Sequence, residues 1–179
     1  MALDKTFNVT SPRDYFDKLH WEVKSLFENM YEVVDQIRVY KVMNAASTAW
    51  HLTDWVYPEL TNEQRAGRTK GPSRGLTGYQ TWLRHECGAL HICRQIAIPA
   101  KHREITNHPD SKITTGMTMY SVPGTGRMRI LLEPSIHIDG VYSSVENVLM
   151  AAEDFWRLEL QTLGLWGPTD AARDGLPHF

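Results

Sequence analysis

Residues 112–140 read KITTGMTMYSVPGTGRMRILLEPSIHIDG, and this stretch separates an all-helical chain from a mixed one. Two runs, 112–122 and 127–133, are rich in Thr, Ile, Met, Val and Leu, and Pro123-Gly124-Thr125-Gly126 between them is a turn signal. The pattern predicts a β-hairpin over 112–139, with 135–140 adding a short third strand. Ile136 and Ile138 alternate with His137, which puts that imidazole on the open face of the strand.

Helical spacing dominates on both sides of the hairpin. Ser11-Pro12-Arg13-Asp14 is a helix start, with a hydroxyl cap, proline at the first helical position and an acid in the first turn. Tyr15, Leu19, Val23 and Phe27, with Leu26 and Met30 beside them, continue it as an apolar stripe. A second helix is expected over 31–56, with Val34, Ile37, Val42, Ala45 and Ala49 facing inward and Pro58 ending it. Residues 58–76 read as a long basic loop. A third helix is expected over 79–97, with Leu83, Cys87, Leu90 and Ile96 as core candidates and Pro99 ending or kinking it. Ser143 and Glu146 form a capping-box pattern opening a last helix through Val148, Ala152, Phe155, Trp156, Leu158 and Leu160. The tail, 164–179, reads as irregular. The expected fold is mainly α: one domain over 1–179, a bundle of about four helices with a β-hairpin inserted before the last helix.

Composition limits the partners. With 42% apolar and 22% charged residues the chain can bury a sizeable core, and its formal charge of −2 argues against a general polyanion binder while leaving room for a local basic patch. Cys87 and Cys93 lie about 9 Å apart along one expected helix, too far and too differently directed to pair. Free thiols suit a reducing compartment. The first 14 residues lack a basic region followed by an apolar run, and no stretch approaches 18 apolar residues. The expected location is the cytoplasm, with no membrane partner.

Three polar groups stand out against this apolar pattern. In NAASTAWHLTDW, residues 44–55, His51, Asp54 and Trp55 sit at i, i+3 and i+4 and share one helix face. A carboxylate at that spacing can orient an imidazole, or both can hold one metal; an ordinary hydrogen-bonded pair has the same pattern. In the third helix Arg84, Gly88, His91 and Gln95 form one stripe, which serves equally as a ligand-facing or a solvent face. Lys101-His102 follows the Pro99 kink, where a charge and a proton-transfer group can face a cleft. Arg65, Arg68, Lys70 and Arg74 carry the basic loop with no acid between them, which suits either a phosphate-contacting arm or a solvated loop. The zincin pattern H-E-x-x-H is excluded because Ala89 stands where the second His belongs.

Taken together, AxxAWHLxDW, LRxxCxxLxxCRxIAxxxKH and EDFWRLEL resemble an uncharacterised family of bacterial helical proteins over roughly 45–160. The recurring H-x-x-[DE]-W and K-H marks of that family map onto His51, Asp54, Trp55, Lys101 and His102. The resemblance implies a site there without naming its chemistry. A second resemblance, to the HEPN helical domains, rests on Arg84-His85 followed by His91. Many of those domains are metal-independent ribonucleases. The resemblance implies that Arg84 and His91, usually paired across two protomers, act on the scissile phosphate and 2′-hydroxyl.

Three functional readings follow. The first is a HEPN-like ribonuclease or related defence protein, with Arg84 stabilising phosphate charge, His91 and His102 as acid and base, and the basic loop holding RNA. The second is a zinc or non-haem iron site built on His51, Asp54 and His102 in a helical bundle. The third is a non-catalytic binding or assembly module, its partner another copy of the chain.

Overall fold

The computed structural model describes residues 9–28, 35–70, 74–102, 109–123 and 128–166; for 35, 100–102, 122–123 and 128–129 it describes the backbone only. These residues form six helices and one three-stranded antiparallel sheet: α1 Pro12–Phe27, α2 Asp35–Glu59, α3 Asn62–Gly67, α4 Gly75–Glu86, α5 Gly88–His102, β1 Ile113–Pro123, β2 Met128–Ile138, β3 Val141–Ser144 and α6 Val145–Thr162. The mainly α class is as expected, and the helix count exceeds the expected four. Among the described residues no helix is long and apolar enough to cross a membrane.

Helix α1 starts where its cap residues dictate. Ser11 Oγ accepts from Asp14 N at 3.1 Å, and the Asp14 carboxylate accepts in return from the backbone of Thr10 and Ser11. Burial pushes the Asp14 carboxyl up, but these hydrogen bonds outweigh it and hold the group below its usual range. Phe16, Leu19, Val23 and Leu26 form the buried stripe, while Phe27, read as core, is exposed.

Helix α2 is the spine of the fold. Ala45, Ala46, Ala49, Leu52 and Val56 are fully buried, and the small residues let α1, α5 and α6 approach closely. Ile37, also read as core, is 48% exposed. Pro58 sits inside the last turn and the helix runs one residue past it. A proline there forfeits one backbone bond of a turn that is already ending, so it does not set the boundary.

The stretch 58–76, expected as a loop, contains α3 and the start of α4. Thr61 caps α3 by accepting from Gln64 N at 3.2 Å, and Gln64 Oε1 accepts from Thr61 N at 2.9 Å. The expected third helix is two helices. Cys87 is extended, with φ −132 and ψ 101, ending α4 through Cys87 N to Leu83 O (2.9 Å) and opening α5 by accepting from His91 N (3.2 Å). The stripe Arg84, Gly88, His91, Gln95 therefore does not lie on one helix. Cys87 and Cys93 are buried and free, and burial pushes both thiols up. Pro99 neither ends α5 nor marks its exit, because the helix continues to His102.

The hairpin pairs Ile113 with Ile138 and runs in register to Pro123 and Met128; its turn lies outside the described residues. Residues 135–138, expected as a third strand, continue β2. The third strand is β3, reached through Asp139-Gly140, whose φ values of 52 and 79 are both left-handed, as a two-residue hairpin turn of the primed type requires. Ile136 is buried against the helices, whereas Met119 and Ile130 farther along the same face are exposed. Ser144, one residue beyond the expected cap, accepts from Asn147 N and opens α6. Val148, Ala152, Trp156 and Leu160 of α6 complete the core, and Leu158 faces solvent. Residues 164–166 of the expected tail return to the core, where Trp166 packs edge-on against Phe16 at 4.8 Å.

Candidate functional site

The pair expected on α2 is present and faces solvent. His51 Nδ1 lies 3.1 Å from Asp54 Oδ2, and the two side chains are 42% and 45% exposed. Beside them Trp55 stacks on Tyr15 with ring centroids 5.0 Å apart. Thr53, fully buried one residue before Asp54, accepts from Gln80 Nε2 of α4 at 3.3 Å and ties the two helices together.

Helix α5 carries Lys101 and His102 away from this pair. Arg94 lies over the Trp50 ring at 5.9 Å, while Ile96 and Pro99 share a cavity wall with Val39, Val42 and Met43. The end of α5 thus runs toward the start of α2. His51 lies eight residues beyond Met43, about 12 Å of helix rise in the opposite direction. The expected meeting of His51 and Asp54 with Lys101 and His102 is not made by the backbone; the side chains of Lys101 and His102 lie outside the described residues. Among the described residues no three His, Cys, Asp or Glu side chains gather as a metal site.

A different carboxylate meets an imidazole on α5. His91 Nε2 lies 2.9 Å from Asp110 Oδ2. Asp110 Oδ1 accepts from Lys112 N at 3.0 Å, and its own backbone N–H donates to Gln95 Oε1 at 3.4 Å. The hydrogen bond from His91, aided by that from Lys112 N–H, holds the Asp110 carboxyl below its ordinary range. An ionised Asp110 accepts only, so His91 Nε2 carries the proton that is donated to it. Nδ1 is buried and has no hydrogen-bond partner among the described residues. A carboxylate bonded to one nitrogen orients the imidazole ring, and here the second nitrogen is buried.

The space beside this dyad is concave. A cavity of about 570 Å³ is lined by Asp110, Ser111, Thr114, Gln95, Pro99 and Thr115. A second, of about 600 Å³, lies between the N-terminal half of α2, α5 and the sheet, with a mainly apolar wall that includes Val39, Met43, Ile96 and Leu132. Gln95, Pro99 and Thr115 line both, so the two adjoin as compartments of one cleft: an apolar chamber and a mouth that carries the Asp110 carboxylate.

The cationic residues divide. Arg84 donates to Gln80 O and Thr81 Oγ1. Arg94, buried at 7% exposure, has its pKa lowered first by burial and then by the charge of Arg84. Arg65 is bound to the carbonyls of Tyr57 and Pro58, and Arg68 to Glu159 at 2.5 Å. Those two residues tie α3 to α2 and α6, which leaves Lys70 and Arg74 as the exposed part of the expected phosphate-holding set.

Sequence reasoning singled out His91 but missed Asp110. The aspartate lies 19 residues downstream, and no local spacing signals the pairing. Gln95 was visible only as a stripe member. The chain matches no protein-family model, and no curated protein and no solved structure matches it.

Proposed function

We propose that the chain binds a small organic molecule in the cleft between α5, the hairpin and the N-terminal half of α2, with the Asp110 carboxylate at its mouth. The observation that carries this reading is the continuity of the two cavities through Gln95, Pro99 and Thr115. Each compartment has the size of an ordinary ligand site, and an apolar wall with few polar groups is the usual composition of such sites. Among the described residues that line it, Asp110 supplies the one ionisable group, oriented by its hydrogen bond with His91.

The test blocks the junction. Thr115 is exposed, lies on β1 opposite Ile136 and lines both compartments, so Thr115→Trp fills shared space with a residue that suits a strand. In ligand-observed NMR, wild-type protein is expected to bind small aromatic fragments, and Thr115→Trp to lose at least about tenfold in affinity, roughly 1.4 kcal/mol, with its unfolding midpoint unchanged. Equal binding by both proteins refutes the cleft reading.

A second reading, a metal-independent ribonuclease of HEPN type, is favoured by one observation: the charge of Arg84 is felt at Arg94, which follows His91 by three residues on α5. Arg84 would counter phosphate charge, His91 would move the proton, and Lys70 and Arg74 would hold the RNA backbone. The break at Cys87 and the internal bonds of Arg65 and Arg68 weigh against it. It requires cleavage of unstructured RNA in EDTA that falls roughly 10²–10⁴-fold in His91→Ala. No cleavage by the wild type removes it. The His51–Asp54 pair supplies two donors where a zinc or iron centre takes at least three, and it supports no metal proposal by itself.

A further inference from the structure

We infer that the ligand of this cleft is an amine: a compact apolar body ending in a protonated nitrogen that meets the Asp110 carboxylate at the mouth. The inference rests on the cleft reading and names the chemistry of its occupant. Its first support is the division of the cleft. The chamber is walled by Val39, Val42, Met43, Ile96, Leu132 and Ile136, and a rigid hydrocarbon or aromatic group is what such a wall rewards. At the other end Asp110 is the one charged side chain among the described residues lining either compartment.

The second support is hydrogen-bond accounting. A carboxylate has about four acceptor positions. The described contacts of Asp110 use two, one from His91 Nε2 and one from Lys112 N. Among the described residues, positions on both oxygens therefore stay open while the group remains anionic. A cation brought to a carboxylate that N–H donors already orient gains a charge-assisted bond without first reorganising it. An anionic head would meet the same carboxylate and be repelled. Gln95 fits the same polarity: its Oε1 is the acceptor for Asp110 N and lies on the wall common to both compartments.

Three matched probes separate this inference from the reading beneath it: 2-phenylethylamine, 2-phenylethanol and 3-phenylpropionate, titrated against the full chain by calorimetry or ligand-observed NMR at neutral pH. The amine is expected to bind at least about tenfold tighter than the carboxylate, with the alcohol between them. Asp110→Asn is expected to remove the advantage of the amine over the carboxylate. Thr115→Trp is expected to weaken all three. If the carboxylate binds as well as the amine, or if Asp110→Asn leaves the amine's advantage intact, the amine inference falls and the cleft reading stands. Should none of the three bind wild-type protein, both fall.

Discussion

Replacing Trp156 by alanine will lower the unfolding free energy by about 3–5 kcal/mol, the range for removing a large aromatic side chain from a packed interior. Trp156 is fully buried on α6, and its indole N–H donates to Ala49 O at 2.8 Å across the junction with α2. Ala45, Ala46 and Ala49 on the facing helix are themselves fully buried. They have no spare side-chain atoms with which to refill the space, so the cavity stays open. For a chain of 179 residues a loss of that size lowers the melting midpoint by roughly 6–20 °C. Trp156→Phe separates the two contributions. It keeps most of the apolar contact and forfeits the N–H bond, whose acceptor lies in the interior of α2 and retains its helical partner, so its cost is about 1–2 kcal/mol. Chemical denaturation of both variants checks the pair. A cost below about 1 kcal/mol for the alanine variant would place the packing centre elsewhere.

Much of this packing was legible in the order of residues, for reasons that stay local. Ser11, Pro12 and Asp14 lie within one turn, so their capping bonds are set by spacing alone. The hairpin likewise follows from two strand-forming runs around a Pro-Gly signal, and His51 and Asp54 are neighbours simply because an α-helix puts i and i+3 side by side. Other features depended on partners far along the chain. Arg68 read as part of a basic loop because Glu159, which neutralises it, lies 91 residues away. Asp110 was passed over for the same reason. Some misses were local signals left unused: Thr61-x-x-Gln64 is a capping-box pattern that the surrounding basic residues obscured, and Asp139-Gly140 is a strong hairpin dipeptide. The break at Cys87 is different in kind. Only Gly88 beside it weakens helix propensity, and packing decides that two helices form there.

Arg38→Ala is expected to cost about 3–5 kcal/mol at neutral pH, chiefly because it strands the carboxylates that the guanidinium neutralises. Arg38 is buried on α2, with Nη1 at 3.2 Å from Glu133 of β2 and Nη2 at 2.5 Å from Glu146 of α6. One guanidinium thus joins the spine helix to the hairpin and to the last helix. Its removal leaves two partly buried carboxylates facing the same vacated space. Burial by itself pushes the Glu146 carboxyl up, but the hydrogen bonds from Ser144 and Arg38 overcome it and hold the group below its ordinary value of 4.5. A carboxyl depressed in the folded state adds stability that is present above its unfolded pKa and is lost as pH falls through the lower folded pKa. The wild type therefore loses this contribution progressively below about pH 4.5. Over the same range the alanine variant is relieved, because a protonated Glu146 no longer needs the missing cation. The gap between the two proteins should be widest at pH 7 and should narrow as the pH drops toward 3. Arg38→Lys should fall in between, since an ammonium replaces the charge but cannot reach both carboxylates with a planar fork. Urea denaturation of the three proteins at pH 7 and pH 3.5 measures this. A deficit of the same size at both pH values would mean that Arg38 stabilises the fold by packing alone, and the electrostatic account would be abandoned.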